Sequence, residues 1–424
     1  MYKKVTLDNG LRIITHNMPN MKSVAIGIWI KIGARYETVE NKGISHYLEH
    51  LLFKGSKHYS CRRLKESIEG VGGSLNGFTS EEITCYLVKL PYRYVDLGLE
   101  ILSDMVINPL LPKEEVEKER TVILEELKMY KDLPQSYVHE LLDELLWPEQ
   151  ILGMSVIGSV ESINAVKKED LYLYKTKHYT PLNIVVSAAG LLNHHRFVER
   201  TQKVFSRLKA GNINTFQEAK AVQADPQLKL LHKDTEQTHL ALGFHSIKRD
   251  DPLKYAQALL HIILGANMSS RLFNEVREKK GLAYEIGTQT KCYHDTGAFL
   301  VHAGVDNRRV NDAVEVILEE LEKIKCRLVT DDELKRAKEF YLGQLELALE
   351  ETMDNMLWIG ESTVTLDKTY SLKEIIEEVN SVERGDIKNM ARYIFQQNNI
   401  NLAVIGPVND KEEIIRNQLK TCIF

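Results

Sequence analysis

From residue 24 to residue 32 every second position is a β-branched aliphatic: Val24, Ile26, Ile28, Ile30 and Ile32. A period of two predicts a strand with one buried face. The turn signal Asp8-Asn9-Gly10 ahead of it predicts a hairpin. Leu240, Leu242 and Phe244 repeat the alternation in the second half of the chain. Between these strands the period changes to that of a helix. Ile44, Leu48, Leu51 and Leu52 predict a helix over about residues 41–54, with Gly55 placed to end it. A second helix is predicted over about residues 113–131, in a run rich in Glu and Lys.

The pattern also repeats at long range. Residues 111–127 align without gaps on 329–345, Leu124 falling on Leu342 and Leu127 on Leu345. Further on, Asp170-Leu171 matches Asp386-Ile387, Asn183-Ile184 matches Asn399-Ile400, and Gly190 matches Gly406. Self-similarity at this scale predicts two homologous domains, 1–208 and 227–424, joined by a linker over 209–226 that lacks periodicity. Strands followed by helices and a late strand predict an α+β class, each domain a mainly antiparallel sheet covered by helices on one face.

Chemistry concentrates on the first predicted helix, which carries His46-Tyr47-Leu48-Glu49-His50. His46 and His50 are four apart, so both rings reach one side of the helix and can share a metal ion. Glu49 lies next to them, within reach of a water on that metal. A catalytic zinc site needs a third protein ligand and an open position. The second helix offers Glu119 and Glu126, two turns apart on a face that also takes in Val122 and Ile123. Glu125 points elsewhere. A third element, residues 269–284, reads as a helix ending at Gly281, with Arg277 in its last turns and Tyr284 opening the next strand.

These words together resemble the pitrilysin family of inverted-motif zinc peptidases, in the bacterial branch closest to the β-subunit of mitochondrial processing peptidase. The similarity covers 43–55 and 72–80 as well as the motif, with Tyr47 and Gly77 as small departures. The resemblance implies one Zn2+ per chain on His46, His50 and Glu126, with Glu49 as general base and Glu119 supporting the site. It implies that Arg277 and Tyr284 reach substrate and the developing oxyanion, and that Leu75-Asn76-Gly77-Phe78-Thr79 is an edge strand on which extended peptides dock. The implied activity is endopeptidase cleavage of unfolded or short peptides in a closed chamber of four homologous domains. Two such domains per chain imply a clamshell homodimer, with a heterodimer of homologous chains as the other arrangement. The alternative is a non-catalytic or partner-dependent subunit that binds peptides.

The repeat also limits where the metal chemistry sits. Glu119 aligns with Ala337 and Glu126 with Gln344, and no H-x-x-E-H run occurs after residue 200. A net charge of −5 carries no basic footprint, so nucleic acid is not an expected partner. Asp132, Glu140, Asp143 and Glu144 are candidates for an acidic wall that favours basic peptides. No apolar run approaches the roughly 20 residues of a membrane span. Met1-Tyr2-Lys3-Lys4 leads directly into the first strand, and five scattered cysteines without zinc-type pairs suit a reducing cytoplasm. The adjacent His194-His195 face different ways and are expected in a loop after Gly190.

Overall fold

The computed structural model describes residues 2–409 and 411–421. Among these described residues eleven strands form two sheets: β1 (Tyr2–Thr6), β2 (Arg12–Asn17), β3 (Ser23–Ile30), β4 (Ser74–Thr79), β5 (Thr84–Pro91) and β6 (Ile184–Gly190) in one, and β7 (Gln227–His232), β8 (Gln237–Ser246), β9 (Ala283–Cys292), β10 (Gly297–Asp306) and β11 (Asn401–Gly406) in the other. The first sheet runs β1-β2-β6-β3-β5-β4 and the second β7-β11-β8-β10-β9. Without β1 the two orders are the same, down to one parallel pair (β2 with β6, β7 with β11) among antiparallel neighbours. The sequence repeat is therefore a structural repeat. Its matched words fall at matched places: the helices Lys168–His178 and Arg384–Ile394 each enter through a capping box closed by Asp170 or Asp386.

The Asp8-Asn9-Gly10 hairpin joins β1 to β2, with Gly10 at φ +89°, and the strand of alternating aliphatics follows as β3. That strand is buried on both faces, from Val24 through Ile30. The reason lies in how the chain divides. One compact unit comprises residues 1–128, 155–217 and 346–371, and the other 129–154, 218–345 and 372–424. Each half of the sequence thus gives one helix to the unit built mainly from the other half. Thr352–Leu366 packs Met356 and Ile359 against Ile14, Ala25, Trp29 and Val185 of the first sheet. Pro134–Leu146 packs Val138, Leu141 and Leu142 against Ala241, Leu300 and Ala403 of the second. These two helices occupy equivalent places in the repeat, so the exchange is reciprocal. Each sheet carries its main helical layer on one face and this single exchanged helix on the other.

Residues 206–226 form no helix or strand, as expected of a linker, yet they are tied down. Asn214 donates its N–H to Asn183 Oδ1 at 2.8 Å and its side chain to the Lys31 carbonyl, and Phe216 lies 4.0 Å under the Arg35 guanidinium. His194 and His195 sit in the first turn of the helix His194–Phe205, which Asn193 caps, and not in a loop. No described helix is long and apolar enough to cross a membrane. Among the described residues Cys61, Cys85, Cys292 and Cys326 form no disulfide; Cys422 lies outside the described residues.

Candidate metal centre

The motif helix runs Ile44–Leu52, three residues shorter at its start than the apolar period suggests. Gly43 explains the late start. It sits at φ +90°, and a Cβ there would lie 2.2 Å from the Ile157 carbonyl oxygen, so only glycine fits. Its N–H and that of Ser45 donate to the Glu37 carboxylate, both at 2.8 Å. A buried acid at the positive end of a helix is favourably placed, and Lys42 at 3.5 Å shares its charge. At the other end Phe53, and not Gly55, closes the helix through its N–H to the His50 carbonyl. Tyr47, Leu48, Leu51 and Leu52 are fully buried, which locks the rotation of the helix and with it the direction of both histidines.

The second helix, Lys113–Asp132, brings Glu119 and Glu126 to that face. His46 Nε2 lies 3.8 Å and His50 Nε2 3.6 Å from Glu126 Oε2. Both distances exceed a hydrogen bond. His50 Nδ1 lies 3.0 Å from Glu119 Oε2, whose other oxygen meets Lys54 Nζ at 2.5 Å. A carboxylate accepts only, so His50 Nδ1 donates to Glu119, and its Nε2 is the nitrogen that faces Glu126. Burial, with His50 close by, pushes the His46 imidazole down to about 3, so it is neutral with a lone pair free. Two imidazoles and a carboxylate converge there, their ligating atoms all within 4.8 Å of one another. That donor set fits a zinc-type ion with a fourth position open. Among the described residues no other group of His, Cys, Asp or Glu converges so closely.

Ile123 is fully buried between the two glutamates, whereas Val122, expected on the same face, is 48% exposed. Glu125 is exposed and pairs with Lys128, as its position on the helix suggests. Glu49 Oε2 accepts a 2.9 Å hydrogen bond from Thr79 Oγ1 of β4. Burial pushes its carboxyl up, opposed by that bond and by His50. Burial also pushes Glu126 up.

β4 lies at the end of its sheet, paired with β5 alone among the described strands. Its residues alternate: Leu75, Gly77 and Thr79 are half-buried, and Asn76 and Phe78 are exposed. A Cβ on Gly77 would come within 3.0 Å of the Phe53 ring, which gives a physical reason for glycine there. The Gly77 N–H is held by the Asn76 side chain at 2.8 Å.

The first unit therefore assembles His46, Glu49, His50, Glu119, Glu126 and residues 75–79. Arg277 and Tyr284 belong to the second unit. There the Arg277 guanidinium stacks 4.7 Å from the Phe273 ring and 5.3 Å from the Tyr284 ring, and Tyr284 is 74% exposed. The segment Phe273–Lys279 is π-helical, followed by Gly281 at φ +57° and then β9, which opens at Ala283, so the predicted helix–glycine–strand order holds. Three of the four candidates for an acidic wall are paired with lysines. Asp143 is 2.6 Å from Lys291, Glu144 pairs with Lys229, and Asp132 is 3.6 Å from Lys233, so these charges are taken up by lysines of the second unit. Three contributors escaped the sequence reading: Lys54, Glu37 and the Thr79 hydroxyl. The i, i+4 spacing of Lys54 from His50 was the one available signal.

Sheet, motif helix and ligand helix together define an inverted-motif metallopeptidase scaffold. Independent comparison agrees. A family model described as insulinase, peptidase family M16, matches residues 12–160, and one described as the peptidase M16 inactive domain matches residues 165–341. An uncharacterized zinc protease of Bacillus subtilis, YmxG, is 37% identical over 407 residues, covering 96% of this chain and 98% of the relative. Another from Streptomyces coelicolor is 35% identical over 416 residues, covering 97% and 90%. The fold is shared with a protease from Helicobacter pylori (TM-score 0.90, 24% identity, 96% of this chain and 99% of that one). It is also shared with a chain of complex III2 from Candida albicans (TM-score 0.85, 18% identity, 98% and 99%). The chain belongs to peptidase family M16, the pitrilysin family.

Proposed function

We propose that this protein is a zinc-dependent endopeptidase acting on unfolded or short peptides. The observation that carries the reading is the convergence of His46, His50 and Glu126 beside a buried Glu49 that is tied to an open sheet edge. His46, His50 and Glu126 would hold a zinc ion, which when bound would supply Lewis acidity for activating water and polarising a scissile carbonyl. Glu49 takes the proton of the attacking water and returns it to the leaving amine, and its raised proton affinity suits both transfers. Glu119, braced by Lys54, holds His50 in the tautomer and orientation that binding requires. An extended peptide adds to β4 along Leu75-Asn76-Gly77-Phe78-Thr79, so main-chain pairing selects conformation more than sequence. The Thr79–Glu49 bond then links the docking strand to the base. Arg277 and Tyr284 donate to the oxyanion, from their own chain or a partner's.

The working unit on this reading is a cytoplasmic homodimer that closes around its substrate, one zinc per chain. A homodimer is preferred to a heterodimer because one chain carries both the metal motif and the Arg277/Tyr284 element. The competing reading is a peptide-binding subunit without catalysis, and the fold shared with complex III2 is the observation in its favour. A full set of ligands and base argues against it. Cleavage of a quenched fluorescent peptide library, with and without a chelator, separates the two. Chelator-sensitive cleavage restored by zinc supports the peptidase, and a zinc-loaded, inert chain supports the subunit.

A further inference from the structure

The second unit contains a pocket of about 220 Å³ lined by His139 from the helix Pro134–Leu146, His239 from β8, Glu285 from β9 and His302 from β10. Strand register builds it. Gly304 of β10 pairs with His239 on one side and Glu285 on the other, so an imidazole and a carboxylate flank a position with no side chain. A Cβ on Gly304 would sit 3.1 Å from Gln237 Oε1 and 3.6 Å from the His239 ring, and glycine keeps that space open. Ala298 and Leu300 pack with Leu141 and Leu142, so by alternation His302 and Gly304 face the same helix.

The His139 and His302 rings are 5.6 Å apart at 62°. Two imidazoles on one ion, with metal–nitrogen bonds of ~2.0–2.1 Å and tetrahedral angles, place their centres roughly 5–6 Å apart. Neither ring's Nδ1 has a hydrogen-bond partner, although both atoms are buried. A buried polar atom left so is costly unless an ion or water takes it. Burial, with His302 nearby, pushes His139 down to about 4, and burial also lowers His239 and His302. All three are neutral ligands at pH 7. The Glu285 charge is felt at both His239 and His302, opposing those shifts.

We propose that His139 and His302, joined by Glu285 or His239 from the pocket rim, form a second site for a divalent transition-metal ion of the zinc class. Imidazole and carboxylate are the donor set of zinc, nickel and copper ions. The four residues' ligating atoms are less closely gathered than in the first site, so the third ligand completes the set by side-chain rotation, for which Glu285 is exposed. An ion bound here pins the exchanged helix to its sheet and stabilises the second unit by mass action. The site is independent of the peptidase reading.

The test is Co2+ titration of the untagged full-length chain carrying His46→Ala and His50→Ala, which removes the first site. Metal content, visible ligand-field absorption and Tm are the readouts. We expect one Co2+ per chain with d–d bands of low coordination number, a rise in Tm on saturation, and at least a tenfold loss of affinity on adding His302→Ala and on adding one of Glu285→Gln and His239→Ala, whichever removes the third ligand. Should His302→Ala fail to fold by circular dichroism, Glu285→Gln at its exposed position and His239→Ala carry the comparison. Absence of saturable Co2+ binding overturns the proposal, and so does binding that none of the three substitutions weakens.

Discussion

One histidine of the centre depends on residues outside the H-x-x-E-H motif. His50 is oriented by Glu119, and Glu119 is held by Lys54. Removing the carboxylate leaves a ring N–H and an ammonium without their acceptor. Glu119→Ala is therefore expected to lower zinc affinity by about 10–100-fold while leaving the fold intact, measured by competition with a chromophoric chelator. Zinc affinity equal to wild type would show that Glu119 orients nothing. Gly43 makes a different demand. At φ +90° and against the Ile157 carbonyl, an alanine is strained by conformation and by contact, so Gly43→Ala is expected to cost about 1–3 kcal/mol in denaturant unfolding. At this scale the sequence was most legible where spacing alone sets geometry. The pair His46 and His50, four apart on one helix, could be read directly. Glu119 and Glu126 were legible as a shared face, but Val122 turned outward, because a face two turns long spans more arc than the buried contact uses. Thr79 reaches Glu49 across 30 positions, and no local pattern records such a contact.

The elements show what a repeat can and cannot say. Offsets between the halves placed the helices Lys113–Asp132 and Asp331–Ala348 at matching starts, and the same correspondence relates Pro134–Leu146 to Thr352–Leu366. Amphipathic spacing says that a helix buries one face; it does not say on which sheet. The reciprocal exchange of the last two helices was invisible for that reason. It has a consequence for any division of the chain at residue 208. A fragment ending there lacks Met356 and Ile359, which cover Trp29, Ile14 and Val185, and keeps Leu141 and Leu142 without the sheet they bury against. Fragment 1–208 is expected to aggregate or to show molten behaviour by near-UV circular dichroism, and adding a peptide of residues 346–371 should improve its order. A cooperative, monomeric unfolding transition for 1–208 alone would contradict this.

At the scale of the whole molecule, buried imidazoles accumulate in the second unit. Burial holds His139, His245 and His261 down to about 4, with His302 adding to the effect on His139 and His261. In an unfolded chain each titrates near 6.5. Between about 6.5 and 4 the unfolded state therefore binds more protons than the native one, and native stability falls as pH drops through that window. Tm is expected to decline from pH 6.5 to 4 more steeply than it changes between pH 7 and 8, and replacing His245 by Asn should flatten part of the slope. An unchanged Tm down to pH 4.5 would mean that these rings are more accessible than their burial indicates. Architecture at this scale was largely legible, since the duplication, the α+β class and the confinement of the candidate metal ligands to the first half all follow from aligned words. What the chain assembles with was not, because a single sequence carries no record of its partner surfaces.

The central claim is that Glu49 does proton chemistry at a zinc centre built from His46, His50 and Glu126. The most direct test compares wild type with Glu49→Gln for peptide cleavage and zinc content in the same preparations. The account predicts equal zinc, about one ion per chain, and a fall in kcat of about 10²–10⁴ or more in the variant. Cleavage by Glu49→Gln at the wild-type rate, with zinc bound, would contradict it.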